Sequence, residues 1–235
     1  MLILFDIDGT LLSTDGAARR AFHRALLEVY GTAGPIATHE FDGKTDPQIA
    51  RELLRAAGLA DSAIERGFPA FWPAYLRRLA AELARPGHET RTFPGVRPLL
   101  DALAARPDTV LGLLTGNVEP GATLKLASAG LAGRFRLGAF GSDGERRADL
   151  PAIALGRART LTGRDFAPQD VVVIGDTPHD IACARPVGAR TAAVATGRYE
   201  VDALAAAGAD AVFPDLADTA AVLGWIFNTE DRGRT

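Results

Sequence analysis

The sequence is short of cysteine and of long apolar or basic runs, and each shortage excludes a class of protein. The single cysteine, Cys183, excludes an internal disulfide and fits a reducing compartment. No apolar run reaches membrane-spanning length, and the N-terminus lacks the basic region of a secretory signal, so we expect a cytoplasmic protein with no membrane partner. No basic run stands out and the formal net charge is -3, so we expect no nucleic-acid partner.

Lysine is also scarce. Of the 26 basic residues, only Lys44 and Lys125 are lysine, and the rest are arginine. The two residue types replace one another at most solvated positions, but not where a compact point charge is needed. Either lysine is kept at these two positions for such a need, or both survive by chance.

What is present is typical of an α/β protein. The chain has 235 residues, 47% of them hydrophobic, which suits one large domain or a domain with an insert. Apolar runs alternate with helical stretches from residue 93 onwards, and this alternation predicts a parallel sheet covered on both faces. The predicted strands lie at residues 2–5, 110–114, 137–140, 171–174, 191–195 and 211–213.

No strand-like run interrupts the region between residues 15 and 84. Its apolar spacing predicts helices at about 15–30, 47–57 and 61–84, with Asp46 as the N-cap of the second. We therefore predict a core of residues 1–14 and 91–235, with an all-helical insert at 15–90.

Three predicted strands end in polar residues that suit chemistry. The first delivers Asp6 and Asp8, which are two residues apart and therefore project to one side. Two carboxylates at such a short distance repel one another, and this repulsion favours a bound cation. Gly9 permits a sharp turn and Thr10 adds a hydroxyl, although Asp and Gly are also ordinary turn formers.

The other two strand ends add a phosphate cradle and a further carboxylate. One carries Thr115-Gly116-Asn117, and the other carries Gly175-Asp176-Thr177-Pro178-His179-Asp180. Ligands of open α/β sheets bind beyond the carboxyl ends of the strands. Carboxylates without a cysteine or histidine framework favour Mg²⁺, and a hydroxyl with backbone N–H groups suits a phosphate oxygen. Together they are the parts needed for phosphoryl transfer.

The three motifs, DIDGT, LLTGN and VVVIGDTPHD, resemble those of the haloacid dehalogenase superfamily. The resemblance covers almost the whole chain and includes Phe93-Pro94-Gly95-Val96, where the insert returns to the core. It implies a Rossmann-like parallel sheet core with an inserted helical cap domain. It also implies a Mg²⁺-dependent phosphatase, similar to phosphoglycolate phosphatases, that acts on a small-molecule phosphate ester.

The resemblance also implies roles for individual residues. Asp6 would be the nucleophile that forms an aspartyl-phosphate, and Asp8 the acid and base. Mg²⁺ would be held by Asp6, by the main-chain carbonyl of Asp8 and by Asp176, with Asp180 supporting the metal's waters or the catalytic cation. The transferring phosphoryl group would be bound by Thr115, Gly116 and Asn117.

Two roles stay open between alternatives. The family uses a cation, usually lysine, to offset charge between nucleophile and phosphate, and the region before the last motif has no lysine. Lys125, on the helix after the second motif, and Arg147, near the expected place, are the candidates. Lys44 lies in Phe41-Asp42-Gly43-Lys44-Thr45-Asp46, which resembles a cap loop facing the active site; it either meets an anionic group of the substrate or is an exposed lysine.

Two other functions fit the same residues. A β-phosphoglucomutase-like phosphotransferase would share every catalytic residue and differ in excluding water. A non-catalytic module that binds a phosphorylated ligand would release no phosphate from p-nitrophenyl phosphate with Mg²⁺. For the oligomeric state we expect a monomer or a homodimer.

Overall fold

A six-stranded parallel sheet lies at the centre of the molecule. The computed structural model describes residues 1–228. Its strands are β1 (Leu2–Phe5), β2 (Leu12–Ser13), β3 (Arg91–Thr92), β4 (Val110–Thr115), β5 (Leu137–Phe140), β6 (Val171–Gly175), β7 (Arg190–Val194) and β8 (Ala211–Phe213). The sheet has the order β5-β4-β1-β6-β7-β8, and every neighbouring pair is parallel.

Helices cover both faces of this sheet, as predicted. The helices are α1 (Ala17–Tyr30), α2 (Asp46–Ala56), α3 (Asp61–Leu83), α4 (Val96–Ala104), α5 (Glu119–Ser128), α6 (Leu150–Thr162), α7 (Pro178–Ala184), α8 (Val201–Ala206) and α9 (Thr219–Phe227). Side chains of β1 alternate between two apolar layers: Ile3 and Phe5 pack with α4, α5 and α9, whereas Leu2 and Leu4 pack with α6 and α7. The α/β fold class is therefore confirmed.

The segment between β2 and β3 is helical and has an apolar core of its own. Helices α1, α2 and α3 enclose a cluster centred on Phe22, Phe71 and Tyr75. The chain enters this segment through β2 and leaves it through β3. These two strands form a short antiparallel ribbon, in which Leu12 faces Thr92. We call α1, α2 and α3 with their connecting loops the helical segment.

Most predicted elements lie within a few residues of the observed ones, but the predicted N-cap of α2 is wrong. Asp46 is not the N-cap of α2; Thr45 is, and its hydroxyl accepts a hydrogen bond from the Gln48 N–H at 3.2 Å. The Asp46 carboxylate instead accepts one from the Val118 N–H at 2.9 Å. The ribbon and helices α8 and α9 were not predicted.

No helix within residues 1–228 combines the length and the apolar character that crossing a membrane requires.

Candidate active site

The sheet order brings the three polar strand ends together. Strand β1 lies between β4 and β6, with Phe5 beside Leu113 on one side and Ile174 on the other. Parallel strands end at the same edge, so the residues that follow them meet there. The Asp6 N–H continues the pairing by donating to the carbonyl of Ile174 at 2.9 Å.

Asp6 lies buried at this edge, directly facing a cation. Its side chain accepts a hydrogen bond from the Ile7 N–H at 2.7 Å, and its Oδ2 lies 3.1 Å from Nη2 of Arg147. Only 5% of Asp6 is exposed. Burial raises the pKa of Asp6 to about 6, although the Arg147 guanidinium opposes the rise.

Arg147 is held in place by contacts on three sides. Its guanidinium contacts the carboxylate of Asp180 and donates to the carbonyls of Leu114, at 3.3 Å, and Gly43, at 3.4 Å. Arg147 is itself buried, so its charge is balanced by Asp6 and Asp180 rather than by solvent. Arg147 thus links Asp6, which follows β1, to Asp180, which lies in the helix after β6.

Asp8 has a different cation. Its Oδ2 accepts hydrogen bonds from Lys125 Nζ at 2.6 Å and from Asn117 Nδ2 at 2.8 Å. Lys125 also donates to Asn117 Oδ1 at 2.5 Å, and Asn117 donates to the Thr115 hydroxyl at 2.8 Å. The Asp8 side chain keeps 44% of its surface exposed, whereas Lys125 is buried. Asp8 is therefore fixed from within the protein and open on its other side.

Three buried carboxylates form a cluster with cation-binding geometry. Oxygen atoms of Asp6, Asp176 and Asp180 all lie within 4.8 Å of one another. The Thr10 hydroxyl donates to Asp176 at 3.0 Å. Burial, together with the charges of Asp180 and Asp6, raises the pKa of Asp176 well above its usual range. A set of oxygen donors with excess negative charge fits a hard divalent cation.

The loop before α2 docks the helical segment onto the sheet edge. The Asp46 N–H donates to the carbonyl of Gly116 at 2.7 Å, and the Thr45 hydroxyl donates to the carbonyl of Glu145 at 2.6 Å. A Cβ on Gly116 would lie 2.0 Å from the carbonyl oxygen of Lys44, so this contact requires glycine. Burial raises the pKa of Asp46 to about 6, and Lys125 opposes the rise.

Between the helical segment and the sheet edge lies a cavity of about 250 Å³. Every residue predicted from the sequence for catalysis or binding lines it, as does Asp176. Lys44 is among them, although its Nζ also lies 2.6 Å from Oε2 of Glu52. A larger groove of about 820 Å³ lies beside β5, and none of the clustered carboxylates lines it.

The structure adds residues to the site that the sequence did not reveal. Tyr75 lines the cavity, and so does Asp46, which the sequence predicted only as an N-cap. Asp180, predicted to support the metal's waters or the catalytic cation, contacts Arg147 and also belongs to the carboxylate cluster. The apolar spacing of α3 does not indicate whether Tyr75 faces a site or the core. The side chain of Asp8, by contrast, lies outside the cluster.

Comparisons with known proteins find relatives over most of the chain. Tyrosine-protein kinase PtkA of Mycobacterium tuberculosis is 32% identical over 206 residues, which are 86% of this chain. This chain spans only 64% of the length of that protein. Phosphoglycolate phosphatase of Rhodospirillum rubrum is 29% identical over 231 residues, covering 95% of this chain and 90% of the relative.

A solved structure and a family model agree with these relatives. The structure of a hydrolase from Pseudomonas syringae has a TM-score of 0.69 and 25% identity, covering 96% of this chain and 98% of the other. The model of the haloacid dehalogenase-like hydrolase family matches residues 3–185. The chain therefore belongs to the haloacid dehalogenase-like hydrolase family.

Proposed function

We propose that this protein is a Mg²⁺-dependent phosphatase that hydrolyses a small-molecule phosphomonoester through an aspartyl-phosphate on Asp6. One observation carries the proposal: two acidic side chains on one cavity each have their own buried cation, Arg147 for Asp6 and Lys125 for Asp8. The relative named phosphoglycolate phosphatase supports a substrate of that size and charge.

In the first half of the reaction, a carboxylate oxygen of Asp6 attacks phosphorus and the ester P–O bond breaks. Asp8 donates its proton to the departing alcohol oxygen, which would otherwise leave as an alkoxide. Arg147 lies beside Asp6 and is the better placed of the two candidate cations to offset charge between the nucleophile and the phosphoryl group.

In the second half, Asp8, now a carboxylate, takes a proton from a water molecule as its oxygen attacks phosphorus. The bond between phosphorus and Asp6 breaks, inorganic phosphate leaves, and Asp8 is again protonated. Lys125 and Asn117 hold the Asp8 carboxyl group in one orientation through both halves. Thr115, Gly116 and Asn117 would bind the phosphoryl oxygens, and Lys44 an anionic part of the substrate.

Asp6, Asp176 and the main-chain carbonyl of Asp8 would hold Mg²⁺, with Asp180 beside them. The buried oxygen atoms of Asp6 and Asp176 lie within 4.8 Å of one another, which supports this assignment, because a cation between them would offset their mutual repulsion. When bound, Mg²⁺ would supply positive charge to the phosphoryl oxygens.

The helical segment would act as the cap that encloses the substrate. Its separate apolar core and the two-stranded ribbon at its base support a cap domain of residues 15–90 inserted into a core of 1–14 and 91–235. We further place the protein in the cytoplasm, on the strength of its single cysteine, Cys183.

Transfer to an acceptor other than water is the second candidate. The 32% identity to a tyrosine-protein kinase favours it. The cavity under the helical segment is about 250 Å³, and this size favours a small acceptor of the phosphoryl group over a protein chain. Water is the simplest acceptor of that kind.

A screen of phosphate release from small phosphomonoesters, with Mg²⁺ and then with EDTA, tests the proposal. We expect release that needs Mg²⁺ and that disappears in Asp6→Asn, which preserves shape and removes the nucleophile. Release that continues in Asp6→Asn, or that EDTA leaves unchanged, would contradict the mechanism. A phosphorylated Asp6 that passes its phosphoryl group only to an added alcohol would identify a phosphotransferase.

A further inference from the structure

Tyr75 is a buried tyrosine at the boundary between the apolar core of the helical segment and the cavity. Its ring packs edge-on against Phe22 at 5.1 Å and stacks with Phe71 at 6.3 Å. Only 1% of the residue is exposed, yet Tyr75 lines the cavity together with Asp8, Asp46 and Lys125. The ring is thus fixed by packing on one side and meets the cavity on the other.

The Tyr75 hydroxyl forms no hydrogen bond within residues 1–228. The other tyrosine of the same apolar core behaves differently, since Tyr30 donates to the carbonyl of Ile64 at 2.7 Å. The hydroxyl is not among the fully buried polar atoms that lack a partner, so it opens onto the cavity that Tyr75 lines, and a group bound there can accept its hydrogen bond. The cavity is where that partner would lie.

Tyr75 also lies close to α5, the helix that carries Lys125. A Cβ built on Gly121 of α5 would lie 3.7 Å from Cε1 of Tyr75, and Lys125 follows Gly121 by one helical turn. Burial raises the pKa of Tyr75 well above its usual range, and the Asp46 and Asp8 carboxylates add to the rise. The hydroxyl therefore keeps its proton and remains a hydrogen-bond donor.

We propose that Tyr75 determines specificity by donating a hydrogen bond to an oxygen on the alcohol part of the substrate. This inference rests on the proposed phosphatase function and names its substrate class. Preferred substrates are small phosphate esters whose alcohol carries a second oxygen, in a hydroxyl or a carboxylate, close to the ester. Simple alkyl phosphates leave the hydroxyl unpaired and are poorer substrates for that reason.

Three esters of one chain length test the proposal: 2-phosphoglycolate, 2-hydroxyethyl phosphate and ethyl phosphate. In the wild type, kcat/KM is expected to be higher for the first two than for the third. Tyr75→Phe should reduce that preference about 3-fold or more for the hydroxyl probe and about 10-fold or more for the carboxylate probe, because hydrogen bonds to charged groups are stronger. The preference is the ratio of kcat/KM for each probe to that for ethyl phosphate in the same variant, so a loss common to all three esters cancels.

Tyr30→Phe is the matched control. It removes a hydroxyl from the same apolar core, but one whose partner is a backbone carbonyl, so it should lower stability and leave the preference intact. An unchanged preference in Tyr75→Phe, or an equal change in both variants, would overturn the proposal.

Binding separates this inference from the proposed function. Calorimetry on Asp6→Asn, with and without Tyr75→Phe, measures affinity for the same three esters without turnover. If the wild type hydrolyses none of them, the proposed function fails, while a preference that depends on Tyr75 still upholds the inference. Equal affinities with and without the Tyr75 hydroxyl would overturn it, whatever the activity.

Discussion

Two acidic side chains that follow β1 have cations from different parts of the chain. Arg147 contacts Asp6 from the turn before α6, and Lys125 contacts Asp8 from α5, 117 residues along the chain. The sequence left one cation to be chosen between these two, because nothing in local spacing says whether a helix or a turn far along the chain reaches a strand end. The scarcity of lysine drew attention to Lys125. In the fold, both cations lie at the site, with Lys125 beside Asp8 and Arg147 beside Asp6.

The two cations predict different losses when they are removed. Lys125→Met should lower kcat/KM for ethyl phosphate more than for p-nitrophenyl phosphate. Of the two leaving groups, only the ethoxide needs the proton that Asp8 donates, because p-nitrophenolate leaves without one. General acids contribute about 10²–10⁴-fold, and we expect the difference between the two esters to be a sizeable part of that range. Arg147→Met should lower both equally, because Asp6 attacks phosphorus in either case. Equal losses in Lys125→Met would contradict the assignment of Lys125 to Asp8.

Asp46 gives a prediction about pH. Its pKa is about 6 in the folded protein against an ordinary 3.8, so the stability that its protonated form contributes is complete below 3.8 and is lost as the pH rises through 6. Asp46→Asn should therefore raise the free energy of unfolding more at pH 8 than at pH 5, by about 1.4 kcal/mol, which is roughly half of the whole pH-dependent effect. Chemical denaturation at the two pH values measures the difference.

Asp61→Asn is the control for that measurement. Asp61 begins α3 as Asp46 begins α2, but it is exposed, and the Arg55 guanidinium lowers the pKa of Asp61. Its replacement should show no gain in stability at pH 8. A gain for Asp61→Asn as large as that for Asp46→Asn would show that the pH effect does not come from burial.

At the scale of elements, the loop before α2 connects the helical segment to the sheet edge. The apolar runs were enough to predict the strands, since every residue of β1, β4, β6 and β7 is buried. The cap of α2 was not predictable, because Thr45 and Asp46 are both good N-caps. The choice depends on Val118, a residue of the sheet edge that binds the Asp46 carboxylate.

Gly116→Ala tests this connection. A methyl group there would overlap the Lys44 carbonyl, so the loop should move away from Thr115 and Asn117. We expect a clear fall in kcat/KM for every ester, with little change in the far-ultraviolet circular dichroism spectrum. Gly156→Ala on α6, where a Cβ meets nothing within 4 Å, should leave activity unchanged and raise stability slightly. Wild-type activity in Gly116→Ala would mean that the site does not depend on this contact.

At the scale of the whole molecule, the proposed function depends on a cavity between the helical segment and the sheet edge. The α/β core and the place of the carboxylates could be predicted, because parallel strands bring their ends to one edge. The cavity could not, because Phe22 and Tyr75 reach it from helices whose apolar spacing predicts only a buried core. Sequence periodicity separates buried from exposed residues, but it does not separate a core from the wall of a site.

The most direct test of the central claim is to stop turnover with acid and locate the phosphoryl group by peptide mass spectrometry. The mechanism predicts phosphate on the N-terminal peptide at Asp6, in wild type and not in Asp6→Asn, and its loss on treatment with hydroxylamine, which cleaves acyl phosphates. Ester hydrolysis at full rate with no phosphorylated Asp6 at any time point would contradict it.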